Sequence, residues 1–218
     1  MKAQVIPAGK VVLRPKRKED AQDDFTWRCD EELATLDATT PLKQSFEGFL
    51  LSYEDDLRYS SPWSVRFGID TQDGKHIGNC MSYDINTDTG EAELGIMIGN
   101  RDYWSQSYGY HAIVGLVDHL FQDAELRRLY LHTLDWNQRA QRCFEKCGFT
   151  QVRTVNRSGQ TFIRMELLRD DWTQIGEEKR AALMQECREV VGRLPEALHF
   201  IKDGTVREWI LASDVVAS

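Results

Sequence analysis

The stretch from Glu91 to Leu134 constrains the fold more than any other part of the chain. It opens on EAELGIMIG, whose apolar residues run almost unbroken from Leu94 to Ile98, the pattern of a central strand. A polar loop, NRDYWSQSYGY, follows. From Tyr108 to Glu125, Ile113, Leu116, Val117, Leu120 and Phe121 recur at helical spacing and make one apolar stripe. RRLYLHTLD then reads as another strand. Beyond it, NQRAQRCFEKCGF reads as a helix that starts near Asn137 and ends at Gly148, a natural residue just past a helix C-terminus.

The flanking segments fill in the rest. KVVLRPKRKED begins as a strand. Phe25, Cys29, Leu33 and Leu36 predict a helix from Glu19 to about Asp37, and SFEGFLLSYEDDLR a second one capped by Ser45. WSVRFGID and HIGNCMSYDI are strands joined by a turn at Asp73–Gly74, and NTDTG is the turn into EAELGIMIG. TQVRTVNRSGQTFIRMELL is a hairpin around NRSGQ. The order is strand, two helices, three antiparallel strands, helix, strand, helix and hairpin. It predicts an α/β (α+β) layer with a mixed, mostly antiparallel central sheet flanked by helices. After Trp172 the style changes. Leu183, Cys187, Val190, Val191 and Leu194 form a helical stripe ending at Pro195, and a turn at Asp203–Gly204 suggests a hairpin. Residues 1–172 therefore read as one domain, and residues 173–218 as a C-terminal helix-plus-hairpin appendage that packs on the domain or forms a homodimer.

A length of 218 residues suits that plan. No apolar run approaches eighteen residues, so no membrane span is expected. The N-terminus is too polar for a secretory signal. The five cysteines, at 29, 80, 143, 147 and 187, form no CxxC pair and read as reduced thiols in a cytoplasmic protein. Histidine spacing gives no metal site. The net charge of −8 argues against general nucleic-acid binding and is compatible with a cationic partner, although solubility alone also accounts for it.

WSQSYGY lies just ahead of a helix. A helix N-terminus presents unpaired N–H groups and partial positive charge, so such a loop can hold a phosphate. It can equally be a simple capping loop. His111 in the first turn reads as a partly exposed residue. Asn137 is a good N-cap. Cys143 and Cys147 share a helix face and read as buried small apolar residues.

LRPKRKED, AELGIMIGNRDYWSQSYGYHAI and NQRAQRCFEKCGF, in this order and spacing, resemble the GCN5-related N-acetyltransferase (GNAT) superfamily, nearest to its ribosomal-protein alanine and spermidine acetyltransferase branch. The resemblance covers roughly residues 9–170. It implies acetyl-CoA as cosubstrate, with the pantetheine arm between splayed strands against the backbone of Ile96, Met97 and Ile98, whose amides also polarise the thioester carbonyl. It implies a pyrophosphate loop over Trp104, Ser105, Gln106, Ser107, Tyr108, Gly109 and Tyr110, and pantetheine contacts at Asn137 and Phe144. Two departures stand out. Ser105 and Ser107 occupy positions where the branch carries glycine, so a positive φ at Ser107 would be strained. Phe144 occupies the position where many members carry a tyrosine that protonates the departing thiolate; phenylalanine has no proton to give, and the residue reads as core packing. Tyr108 is a possible substitute.

Glu93 shares a strand face with Glu91 and Gly95. It reads either as a catalytic carboxylate that deprotonates an incoming ammonium, directly or through water, or as a solvent-facing edge or salt bridge. The first two helices, which build the acceptor side in this family, are rich in Asp and Glu. That charge either attracts an amine or is a solvated face. The expected function is N-acetyl transfer to a primary amine, either a small cationic amine or a protein N-terminus, by direct attack in a ternary complex. The alternative is an acyl-CoA-binding module that has lost most of its catalysis.

Overall fold

The computed structural model describes residues 4–193 apart from Ser60 and Ala124. One eight-stranded sheet organises them. In chain order its strands are β1 (Ile6–Ala8), β2 (Val11–Pro15), β3 (Val65–Thr71), β4 (His76–Asn86), β5 (Glu91–Ile98), β6 (Arg128–Leu134), β7 (Thr150–Arg157) and β8 (Gln160–Leu168). Across the sheet they lie β1-β2-β3-β4-β5-β6-β8-β7. Every neighbouring pair is antiparallel except β5–β6.

That parallel pair positions the site. It holds for Glu91↔Arg128, Ala92↔Leu129 and Glu93↔Tyr130 only. Beyond Glu93, β5 stays with β4 as far as Gly78↔Ile98, while β6 stays with β8 as far as Leu134↔Phe162. The two central strands therefore part in a V, leaving backbone groups on the inner edges without a strand partner.

The helices are α1 (Ala21–Cys29), α2 (Glu31–Leu36), α3 (Phe46–Arg58), α4 (Tyr108–Asp123), α5 (Gln138–Lys146) and α6 (Arg169–Arg193). The helix expected across residues 19–37 is broken. A 3-10 turn at Lys18–Asp20 leads into α1, and Asp30 interrupts the run with extended backbone (ψ 127°). Its carboxylate accepts the Leu33 N–H at 2.9 Å, so Asp30 caps a new helix instead of continuing the old one. Ser45 caps α3 as its sequence suggests, accepting the Gly48 N–H. The short strand β1 went unread in the sequence.

The apolar stripe of α4 is the centre of the core. Ile113, Val114, Leu116, Val117 and Leu120 are fully buried against Leu13, Phe67, Ile69 and Leu129 of the sheet. At the hairpin between β7 and β8, Ser158 and Gly159 both take positive φ (50° and 78°), as a two-residue turn requires. α6 runs unbroken across positions 172 and 173. Trp172 and Leu183 join the core cluster, and Trp172 and Arg180 both bond Asp118 of α4. The expected hairpin at Asp203–Gly204 and the side chains of Cys187, Val190, Val191 and Leu194 lie outside the described residues. No helix among the described residues is long and apolar enough to cross a membrane.

Candidate active site

The V opens into a cavity of about 370 Å³. Ile96, Met97 and Ile98 of β5 line it, with the loop before α4, the start of α5, and Leu33, Leu36 and Asp37 at the end of α2. The cavity thus runs from the α4–α5 side of the sheet to the helices on the opposite side. A Cβ on Gly78 would lie 2.2 Å from the Met97 carbonyl, so that carbonyl lies against β4. The Ile98 carbonyl instead accepts the Trp104 indole N–H at 2.6 Å. Strand alternation then turns the peptide groups of Ile96 and Ile98 toward the opening.

The loop answers the question its serines raise. Ser105 has φ 58° and Ser107 has φ 68°, so both sit in the left-handed region that glycine adopts without penalty. The backbone keeps the form of a glycine loop while carrying side chains. The cost is roughly 1 kcal/mol or more per residue. What this form provides is direction. The first intrahelical bond is His111 N–H to Ser107 C=O, so the N–H groups of Tyr108 and Gly109 precede it and have no acceptor inside the helix. Trp104, Ser105, Ser107, Tyr108, Gly109 and Tyr110 all line the cavity. Gln106 does not. Its side chain bonds the Asp102 carbonyl, and its own carbonyl accepts from Lys10. A Cβ at Gly109 would meet Ile98, Cys143 and Ile96 only at 3.7–4.0 Å, ordinary contact, so packing there tolerates a small side chain.

The opposite wall comes from α5. Asn137 caps it, accepting the Ala140 N–H at 3.2 Å, and lines the cavity. Phe144 is buried, lines the cavity and packs edge-on against Phe149. Cys143 lines the cavity beside it, while Cys147 is fully buried. Arg139, Arg142 and Lys146 make this wall cationic, and the Arg139 guanidinium stacks 3.8 Å over the Trp104 ring. The sequence reading overlooked these three cations. Their three- and four-residue spacing, which puts them on one face of the helix, was the signal available for them.

A family model described as an acetyltransferase (GNAT) domain matches residues 10–150. The chain belongs to the GNAT acetyltransferase family. Acetyl-CoA is the cosubstrate of this family, and the splayed strands, amide-bearing loop and cationic wall fit an anionic, elongated thioester. Solved structures share the fold. A spermidine N-acetyltransferase from Vibrio cholerae in complex with CoA and spermine has 20% identity and a TM-score of 0.67, covering 75% of this chain and 98% of its own. An aminoglycoside acetyltransferase in complex with coenzyme A has 21% identity and a TM-score of 0.64, covering 75% and 98%. A GNAT-family acetyltransferase from Bacillus anthracis has 13% identity and a TM-score of 0.64, covering 77% and 99%. No curated protein matches the sequence significantly.

Within this GNAT fold, Glu93 sits at the floor of the V, on the last β5–β6 pair. It is almost fully buried and does not line the cavity described above. Its Oε1 lies 2.7 Å from His132 Nδ1, with both side chains under a tenth exposed. His132 Nε2 lies 3.3 Å from Arg157 Nη2. A guanidinium only donates, so Nε2 is the acceptor, and Nδ1 carries the proton donated to Glu93. Tyr83 and Tyr130 flank the pair. Burial first, and the Glu93 carboxylate second, push both phenols above their usual range. His132 escaped the sequence reading because histidines were weighed only for metal spacing. Its alternation with Tyr130 along RRLYLHTLD was the usable signal.

His111 is a correction. It is fully buried rather than partly exposed, and its Nδ1 accepts the Lys10 N–H at 3.1 Å. Gly9 (φ 61°) packs so closely that a Cβ there would fall 1.9 Å from that nitrogen. It is part of the core beneath the loop.

Proposed function

We propose that this enzyme carries the acetyl group of acetyl-CoA to a cationic primary amine, which attacks the thioester directly in a ternary complex. The observation that carries this reading is the cavity in the V, lined by the loop before α4, the cations of α5 and Leu33, Leu36 and Asp37 of the α2 end. In this reading the peptide groups of Ile96 and Ile98 hold the pantetheine arm and polarise the thioester carbonyl, while Met97, whose carbonyl lies against β4, lines the cavity between them. Trp104, Ser105, Gln106, Ser107, Tyr108, Gly109 and Tyr110 form the pyrophosphate loop and first turn, assisted by Arg139, Arg142 and Lys146. Asn137 and Phe144 flank the arm. Glu93 works through His132, whose neutral Nε2 takes the proton of the attacking amine. Burial, followed by Tyr103 and Asp73, raises the Tyr108 phenol, so it stays protonated at neutral pH and can donate to the departing thiolate. The names of two similar enzymes, a spermidine and an aminoglycoside acetyltransferase, support an amine acceptor. The four free thiols among the described residues support a cytoplasmic setting. Residues 173–218 are, in this reading, a C-terminal extension and the segment through which two copies would meet.

Calorimetry with acetyl-CoA, followed by a thiol-release assay over amines including spermine and kanamycin, tests the proposal. Saturable binding and release of free thiol with at least one amine are expected. No binding at millimolar acetyl-CoA overturns it. Tight binding with no turnover on any amine or peptide supports the second reading, a binding module, which Phe144 in the cavity wall favours.

The strained loop makes a separate prediction. Ser107→Gly removes strain of ~1 kcal/mol but adds a similar amount of unfolded-state entropy. Its Tm is expected to stay within about 2 °C of the parent and coenzyme A affinity within about threefold. Ser107→Val places a β-branched residue at positive φ and is expected to lower both. Scanning fluorimetry and calorimetry decide; equal behaviour of the two variants would refute the strain argument.

A further inference from the structure

The acidity of the first three helices is largely neutralised within the fold. Asp20 pairs with Arg14, Asp24 with Lys16, Asp30 and Glu32 with Arg101, Glu54 with Lys18, and Asp56 with Arg66. These carboxylates brace helices against strands or against each other, and are poorly placed to receive a substrate as well. The diffuse negative field expected from composition therefore narrows to particular residues.

Asp37 is different in three respects. It is the only carboxylate among the described residues that line the cavity, and α2 itself carries no cation to pair with it. It makes no ion pair or side-chain hydrogen bond among the described residues. Burial pushes its carboxyl above the usual range, and Arg28, the one cation that acts on it, pulls the other way without cancelling that effect. Its own N–H closes the last turn of α2 on the Leu33 and Thr35 carbonyls, so the carboxylate stands at a helix C-terminus, where negative charge is disfavoured. The residue nevertheless keeps solvent exposure, so a cation arriving in the cavity can reach it.

We propose that Asp37 is the specificity-determining anchor for the ammonium group of a cationic amine acceptor, held at the α2 end of the cavity. This rests on the acetyltransferase reading above. The cavity lining then carries both signs of charge. Arg139, Arg142 and Lys146 suit the phosphates of coenzyme A, and Asp37 suits a positive charge on the other substrate. A polyamine or aminosugar carries several ammonium groups, so one can sit on Asp37 while another loses its proton and attacks. Asp37 orients the acceptor and takes no part in the proton transfer.

The test uses the full-length protein saturated with coenzyme A, titrated with spermine by calorimetry, alongside separate titrations of coenzyme A. Asp37→Asn is expected to weaken spermine binding at least about tenfold, the effect of losing a charged hydrogen bond. Coenzyme A affinity is expected to stay within about twofold and the Tm within about 2 °C, because an exposed carboxylate with no ion pair has little to lose. Asp37→Glu is expected to recover part of the spermine affinity. Unchanged spermine binding in Asp37→Asn overturns the proposal, as does a parallel loss of coenzyme A binding. A parent protein that binds coenzyme A but not millimolar spermine overturns it too, while leaving the cofactor site intact. Loss of coenzyme A binding by the parent itself would bring down the underlying reading instead.

Discussion

His132→Gln is expected to lower kcat/KM for the amine at least about a hundredfold while coenzyme A still binds, because general-base help of this kind is typically worth ~100-fold or more. The attacking amine must be neutral, and most alkyl ammonium groups are charged at pH 7. Three features suit His132 for taking that proton. Its tautomer is fixed, since Nδ1–H points at Glu93 Oε1, 2.7 Å away. Its Nε2 lone pair, on the ring nitrogen away from the carboxylate, is met among the described residues by Arg157 at 3.3 Å, an exposed residue whose side chain a substrate can displace. The imidazolium formed on proton capture would sit directly against the Glu93 carboxylate, which stabilises it. Glu93→Gln should cost less than His132→Gln, because an amide oxygen still accepts from Nδ1–H and keeps the tautomer but no longer balances the charge. Glu93 is in this sense a positioning residue. Steady-state kinetics with both substrates, together with coenzyme A calorimetry, separate this from a structural defect. A His132→Gln protein with parental turnover would remove the dyad from the mechanism.

How far the sequence reaches follows from what each feature depends on. The strand–loop–helix–strand run from Glu91 to Leu134 was legible because its apolar periodicities are local, and the observed β5, α4 and β6 match it closely. So were the caps at Ser45 and Asn137, which involve residues only three positions away. Asp30 was missed as a helix break because its capping role competes with a continuous stripe, and the choice is settled in part by Arg101, some seventy positions along the chain. The left-handed serines were legible only as a question, since the resemblance says which backbone is wanted and the residues say it is strained. Glu93 could be read as a candidate from strand alternation. Its partner could not be, because the pairing with His132 depends on the parallel register Glu93↔Tyr130, which no local pattern specifies. Asp37 was hidden in a crowd of acidic neighbours that only the ion pairs sort out.

Arg14→Met is expected to lower the Tm by on the order of 10 °C, the counterpart of a loss of about 3–5 kcal/mol when one partner of a buried ion pair is removed. Arg14 is the hub of a buried triad. It grips Asp70 through Nε and Nη2 at 2.8 and 2.7 Å, and Asp20 through Nη1 and Nη2 at 2.6 and 2.7 Å. Gly68 lies directly opposite on β3, and a Cβ there would come within 2.4 Å of the guanidinium, so the glycine makes room for the fork. The triad ties β2 and β3 to the 3-10 turn that starts the acceptor-side helices. It also gives a physical role to the Arg of LRP and the acidic residue downstream of it. Burial alone would push the Asp20 carboxyl up, but Arg14, the Arg17 N–H, Lys16 and His76 together hold it below the usual carboxylate range. A carboxyl depressed in this way stabilises the fold above its unfolded value, and that contribution is lost as pH falls through the folded one. Without Arg14 the sign reverses. Burial then weighs on the Asp20 carboxyl, and protonation relieves it. The Tm gap between Arg14→Met and the parent is therefore expected to be widest near pH 7 and to narrow toward pH 4, as circular dichroism melts across that range would show. A gap of under about 2 °C at neutral pH, or one that widens with acid, would mean that the triad is not what holds the acceptor-side helices to the sheet.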